Sequence, residues 1–174
     1  MNANKKVGVA RRRHPPHEYK TETFNFPTHV VFYAAMKEEQ DIRWKQRFRN
    51  FDRAFVLLRG ALEEADVGEF NPLEQEGLVQ RFEYTFELAW KTAKDYLIEN
   101  GATFLEITPR SVIKEAFAAG IIKDGDVFMK MMLDRNLMSH CYDFAKFLEV
   151  IGRVKTDYLP ALGELHDFFL GKII

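Results

Sequence analysis

The sequence predicts an all-α fold, an antiparallel bundle of four or five helices. Three observations predict it. Apolar residues recur at alternating steps of four and three from Trp44 to Ala65, the period of one helix face. Helix stop and start signals punctuate the chain at Gly68, Asn71-Pro72, Asn100-Gly101, Thr108-Pro109, Gly120 and Asp124-Gly125-Asp126. The stretches between the periodic segments are short, as they are between antiparallel neighbours in a bundle.

Residues 1–35 stand apart. Lys5, Lys6 and Arg11-Arg12-Arg13 make a basic cluster, followed by His14-Pro15-Pro16-His17, and no helical period runs through them. The expectation is a poorly structured extension. Two other readings stay open: a basic tail that touches RNA, or a stretch upstream of a natural start at Met36. Thr21 to Tyr33 suits one short strand. Residues 36–174 are expected to form the helical domain.

In the first helix Trp44, Phe48, Phe51, Phe55, Leu58, Leu62 and Ala65 face inward. Arg43, Lys45, Arg47, Arg49, Asp52 and Arg53 occupy the other side, where a charged run is ordinarily a solvated face. The second helix, Leu73 to Glu99, turns Leu78, Phe82, Phe86 (or Thr85), Ala89, Ala93 and Tyr96-Leu97 inward, and its small alanines admit a close neighbour. Asn100-Gly101 stops it, because glycine accepts a left-handed backbone without a side-chain penalty. Thr108 caps a shorter helix with Pro109 in its first turn. There Val112, Ile113, Ala116 and Phe117 face the core. Asp126 is the expected cap of a fourth helix carrying Phe128, Met131, Met132 and Met138 as core filling. Asp143 is the expected cap of the last stretch, with Phe144, Leu148, Ile151, Val154 and Tyr158 buried. Pro160 is expected to kink or divide it, and Leu162, Leu165, Phe168 and Phe169 follow.

Composition narrows the function classes. A chain of 174 residues and 20.4 kDa is one ordinary domain. Its single cysteine, Cys141, builds neither an internal disulfide nor a thiolate zinc site, which suits a reducing compartment. No apolar run approaches the about 20 residues of a membrane helix. The basic N-terminus lacks the apolar core of a secretory signal. A cytoplasmic protein is expected. A formal charge of −1 argues against a broad duplex-binding surface but leaves room for a compact RNA site. Phosphate loop, dinucleotide fingerprint, nucleophile elbow and HExxH pattern are all missing from the sequence, so no cofactor and no metal are expected. Adjacent carboxylates such as Glu63-Glu64 point in different directions and read as solvated surface.

What remains is the segment Asp134 to Asp143. If the fourth helix reaches this far, Arg135, Asn136 and His140 share a broad face, with Tyr142 at the helix end. By itself an arginine five residues before a histidine is a weak signal. The bland reading is a buried His140 tied to the backbone, with Arg135 paired to Asp134 or Asp143.

Three blocks carry a resemblance. EGLVQRFEYTFELAWKTAKDYL (Glu76 to Leu97), TPRSVIKEAFAAGII (Thr108 to Ile122) and DRNLMSHCYDF (Asp134 to Phe144) resemble the nucleotidyltransferase substrate-binding proteins of the HEPN superfamily, and YLPAL (Tyr158 to Leu162) also fits. The resemblance runs from about Glu38 to the C-terminus. It implies a HEPN-like bundle that forms a homodimer and pairs with a minimal nucleotidyltransferase, usually encoded nearby. The superfamily includes metal-independent endoribonucleases, and many of its two-gene systems look like toxin–antitoxin modules. Its arginine–histidine motif falls on Arg135 and His140, with the polar residue after the arginine at Asn136. In related pairs the tyrosine two places after the histidine receives AMP from the partner, and that position is Tyr142.

For a ribonuclease these residues suffice physically. His140 moves protons near neutrality, and Arg135 offers a fork of donors to phosphate oxygens. A twofold dimer would bring two copies together, one as base and one as acid. The alternative implied by the family's name is a non-catalytic subunit that binds substrate for the nucleotidyltransferase. A purely structural adaptor is the third, for which a buried polar cluster is awkward.

Overall fold

In the computed structural model, residues 43–64, 67–138 and 144–173 are described. Helix α1 spans Arg43–Glu64, α2 Pro72–Glu99, α3 Pro109–Ala118, α4 Gly125–Met138, α5 Phe144–Arg153 and α6 Leu159–Ile173. A short 3-10 turn, Val67–Glu69, precedes α2, and a π turn, Val154–Tyr158, joins α5 to α6. No strand occurs among the described residues. The expectations for residues 1–35, for the strand at Thr21 to Tyr33, for Met36, Ala65 and Asp143 lie outside the described residues.

The long helices form where their periodicity demands. α1 buries Trp44, Phe48, Phe51, Phe55, Leu58 and Leu62. The short connection after it folds the chain back, so α1 and α2 lie along each other as an antiparallel pair. With 28 residues, α2 is roughly 42 Å long and is the spine of the bundle. It packs on α1, α3, α4 and α6. Asn71 and Glu74 cap it reciprocally, and Pro72 fills its first turn. Both Thr85 and Phe86 are buried, so the expected choice between them does not arise. Thr85 and Thr92 return their hydroxyls to the carbonyls of Arg81 and Leu88, 2.6 and 2.7 Å away, which is how polar side chains sit in this core. Gly101 and Gly120 take the positive φ values, +89° and +71°, that end α2 and α3.

Some sequence expectations shift. The cap of α4 is Asp124, whose Oδ1 accepts from the Val127 N–H at 3.0 Å, and not Asp126, which falls inside the first turn. Phe117 is 53% exposed; its ring packs instead against Gly125, where an added Cβ would meet it at 3.2 Å. On α5 the buried residues are Phe147, Val150 and Ile151, while Leu148 is 38% exposed. Thr108 caps α3 as expected, in a reciprocal pair with Ser111.

Pro160 sits in the first turn of α6. It has no N–H to donate, and its ring would crowd the preceding turn of a regular helix. The chain answers with the π turn, in which the Leu159 N–H reaches back five residues to the Val154 carbonyl. No helix among the described residues is long and apolar enough to cross a membrane.

Candidate functional site

The fourth helix, α4, buries Phe128, Met131, Asp134 and Met138 along one stripe. A carboxylate in that row needs partners, because an unpaired buried charge is strongly unfavourable. It has them. Arg153 Nε donates to Asp134 Oδ2 at 2.7 Å, and the Tyr158 hydroxyl donates to the same oxygen at 2.5 Å. Arg153 Nη1 also reaches Glu149 at 2.6 Å. In a regular α-helix two residues five apart diverge by about 140°. The π turn between Arg153 and Tyr158 removes that divergence, so both side chains converge on one oxygen.

The electrostatics follow from this packing. The hydrogen bond to Asp134 raises the Arg153 guanidinium pKa, outweighing burial, so the charge is permanent. Burial and the Asp134 carboxylate together push the Tyr158 hydroxyl well above its ordinary range, so it stays a donor. Of the two partners expected for Arg135, Asp134 has its Oδ2 taken by Arg153 and Tyr158, and Asp143 lies outside the described residues.

Fixing Asp134 inward fixes the rotation of α4. One residue on, Arg135 is half-buried, and Asn136 stands exposed. Arg135 Nη1 donates to Asn136 Oδ1 at 3.3 Å. Arg135 lies in the last turn of α4, where a cation complements the helix dipole. The structure thus brings together the first two residues that the sequence singles out. His140, Tyr142 and Cys141, with Asp143, lie outside the described residues.

Across from α4, α2 adds three residues that the sequence did not flag. Glu87 accepts from Trp90 Nε1 at 2.9 Å and pairs with Lys91 Nζ at 2.7 Å. The Lys91 ammonium lies 5.5 Å from the Trp90 ring centroid. Burial works to raise the Glu87 pKa, but the bonds from Lys91 and Trp90 and the charges of Lys91 and Arg135 prevail and hold it below the ordinary value. Arg135 therefore faces an anion already on its own protein. Among the described residues no group of three or more His, Cys, Asp or Glu side chains is placed to hold a metal ion.

The described residues form an all-α helical bundle, with half-buried Arg135 and exposed Asn136 near the end of one helix. The chain belongs to the family described as nucleotidyltransferase substrate binding protein like, which it matches over residues 46–170. A protein from Thermus thermophilus of known crystal structure is similar to it, at 28% identity and a TM-score of 0.56, over 71% of this chain and 98% of that one. No curated protein sequence matches the chain.

Proposed function

We propose that this chain is the substrate-binding subunit of a minimal nucleotidyltransferase, and that the Arg135–Asn136 end of α4 receives a phosphate-bearing group. The observation that carries this reading is half-buried Arg135, bonded through Nη1 to exposed Asn136 on a helix whose rotation is set by Asp134, Arg153 and Tyr158. A guanidinium is always charged and presents a planar fork that matches phosphate oxygens. The family description supports the transferase as partner. Leu133 and Leu137, 62% and 43% exposed on the same helix, support a second copy of the chain as their cover, giving a twofold homodimer.

A second reading is a metal-independent endoribonuclease controlled by the same transferase. The unbroken spacing from Arg135 to His140 favours it. In that mechanism one His140 takes the 2′-OH proton and its twin in the dimer protonates the leaving 5′ oxygen, while Arg135 stabilises the charge on phosphorus. The products are a 2′,3′-cyclic phosphate and a 5′-OH. AMP placed on the Tyr142 hydroxyl adds a negative phosphate and a bulky base beside the site, which would repel and block RNA.

One set of measurements separates these. The chain is co-expressed with a minimal nucleotidyltransferase, and the purified material is sized. Labelled RNA is then incubated in EDTA with wild-type protein and with His140→Ala. A stable complex and inert RNA support the binding subunit. EDTA-resistant cleavage that His140→Ala abolishes supports the ribonuclease, and a mass gain at Tyr142 with ATP identifies its control. A chain that neither assembles with the transferase nor cleaves RNA contradicts both.

A further inference from the structure

We propose that Lys91 is a second phosphate-binding cation beside Arg135 and that Glu87 is the built-in anion which the ligand's phosphate replaces, an inference that rests on Arg135 receiving a phosphate-bearing group. Glu87 and Lys91 stand four apart on α2 and share a face. Lys91 Nζ meets Glu87 Oε1 at 2.7 Å, and Trp90 Nε1 donates to Glu87 Oε2 at 2.9 Å, so both carboxylate oxygens are held. Trp90 is buried, and the Lys91 ammonium lies 5.5 Å from its ring centroid. α2 packs on α4, the helix that carries Arg135. Burial opposes ionisation of Glu87, and the bonds from Lys91 and Trp90 with the charges of Lys91 and Arg135 overcome it. One carboxylate thus answers to cations from two helices.

A second carboxylate on α2 shows what makes this one exchangeable. Asp95 also collects cations, Arg43, Arg47 and Lys94, but its side chain is only 2% exposed, so its charge is committed to the fold. The side chains of Glu87 and Lys91 are 33% and 36% exposed. Solvent screens an ion pair so placed, and such a pair opens at little cost. With Lys91 and Arg135 set against Glu87, the cluster keeps a net positive charge. A terminal phosphate brings a larger negative charge than a carboxylate and a third oxygen, enough to bond a guanidinium fork and an ammonium together. A carboxylate ligand brings only what Glu87 already supplies. The cluster is therefore fitted to a phosphate ester over a carboxylate.

The test titrates ATP by calorimetry into the full chain alone. Arg135→Ala should weaken binding by roughly tenfold and Lys91→Gln by roughly fivefold, the scale of one lost bond to a charged group. Lys91→Arg, which keeps the charge, should recover most of that loss. Glu87→Gln should tighten binding by roughly threefold, because it removes a competing anion. A merely structural role for Glu87 predicts the opposite sign. The gain should vanish when Arg135→Ala is added, since neighbours that share a ligand are coupled. Melting curves check that every variant folds. Lys91→Gln that binds like wild type overturns the inference. So does Lys91→Arg as weak as Lys91→Gln, Glu87→Gln that binds no tighter than wild type, or a gain that persists without Arg135. No binding by wild type, or Arg135→Ala equal to wild type, overturns the phosphate reading of Arg135 itself and takes the inference with it.

Discussion

Where α1 meets α6 and the last turns of α2, ring packs on ring. Trp44 meets Tyr96 edge-on at 5.2 Å, Phe48 meets Phe169 at 5.8 Å, and the His166 imidazole stacks on Phe55 at 5.0 Å. Where α4 meets the π turn, a single carboxylate oxygen holds an arginine and a tyrosine. The first region is joined by burial, which is non-directional and tolerant of small shifts. The second is joined by directional bonds that admit one rotation of α4. The difference is a division of labour: the aromatic region supplies stability, and the polar region supplies orientation to the residues beside it.

The comparison can be broken by substitution. Phe51 is fully buried and touches Phe48, Phe55 and His166. Phe51→Ala should cost about 4 kcal/mol, read from chemical denaturation, because it leaves a cavity the size of a ring. Asp134→Ala should cost about 3 kcal/mol by leaving half-buried Arg153 without its main partner and the buried Tyr158 hydroxyl without its acceptor. Tyr158→Phe should cost only about 1 kcal/mol, since Asp134 keeps Arg153 and the ring still stacks on Phe82 at 5.9 Å. If Tyr158→Phe proves as costly as Phe51→Ala, the division between packing and orientation fails.

Acid sharpens the same contrast. Asp95, buried on α2, receives Arg47, Lys94 and the longer-range Arg43. Burial pushes its pKa up, but the bonds and charges of Lys94 and Arg47 outweigh that and hold it below the ordinary value. A carboxyl with a lowered pKa in the folded state contributes stability that is fully present above the unfolded pKa of about 4 and is lost as pH falls below it. Asp95→Asn should therefore flatten the decline of the melting temperature below about pH 4 while lowering it at pH 7. An unaltered acid limb would remove Asp95 from the account.

The same physics decides what was legible in the sequence. The α1 stripe from Trp44 to Leu62 and the caps at Asn71 and Thr108 are local patterns, and the structure keeps them. The phase of α5 was legible only in part, because FAKFLEVIG carries two competing apolar rows; Ile151 is buried as expected, but packing selects Phe147 and Val150 over Leu148. Asp134 left a usable signal, a carboxylate inside the Met131–Met138 stripe. Its partners left none, since Arg153 and Tyr158 are brought together by a π turn that no 3.6-residue period encodes. Arg135 and Asn136 were readable as neighbours; Glu87, Trp90 and Lys91 became part of their surroundings only when α2 packed against α4.

The most direct test takes a minimal nucleotidyltransferase as the proposed partner and titrates ATP by calorimetry into its mixture with this chain, comparing wild type with Arg135→Ala and Arg135→Lys. The account predicts at least tenfold weaker binding for Arg135→Ala, partial recovery for Arg135→Lys and unchanged melting temperatures for both. Equal affinity in all three proteins, with the complex intact, would contradict it.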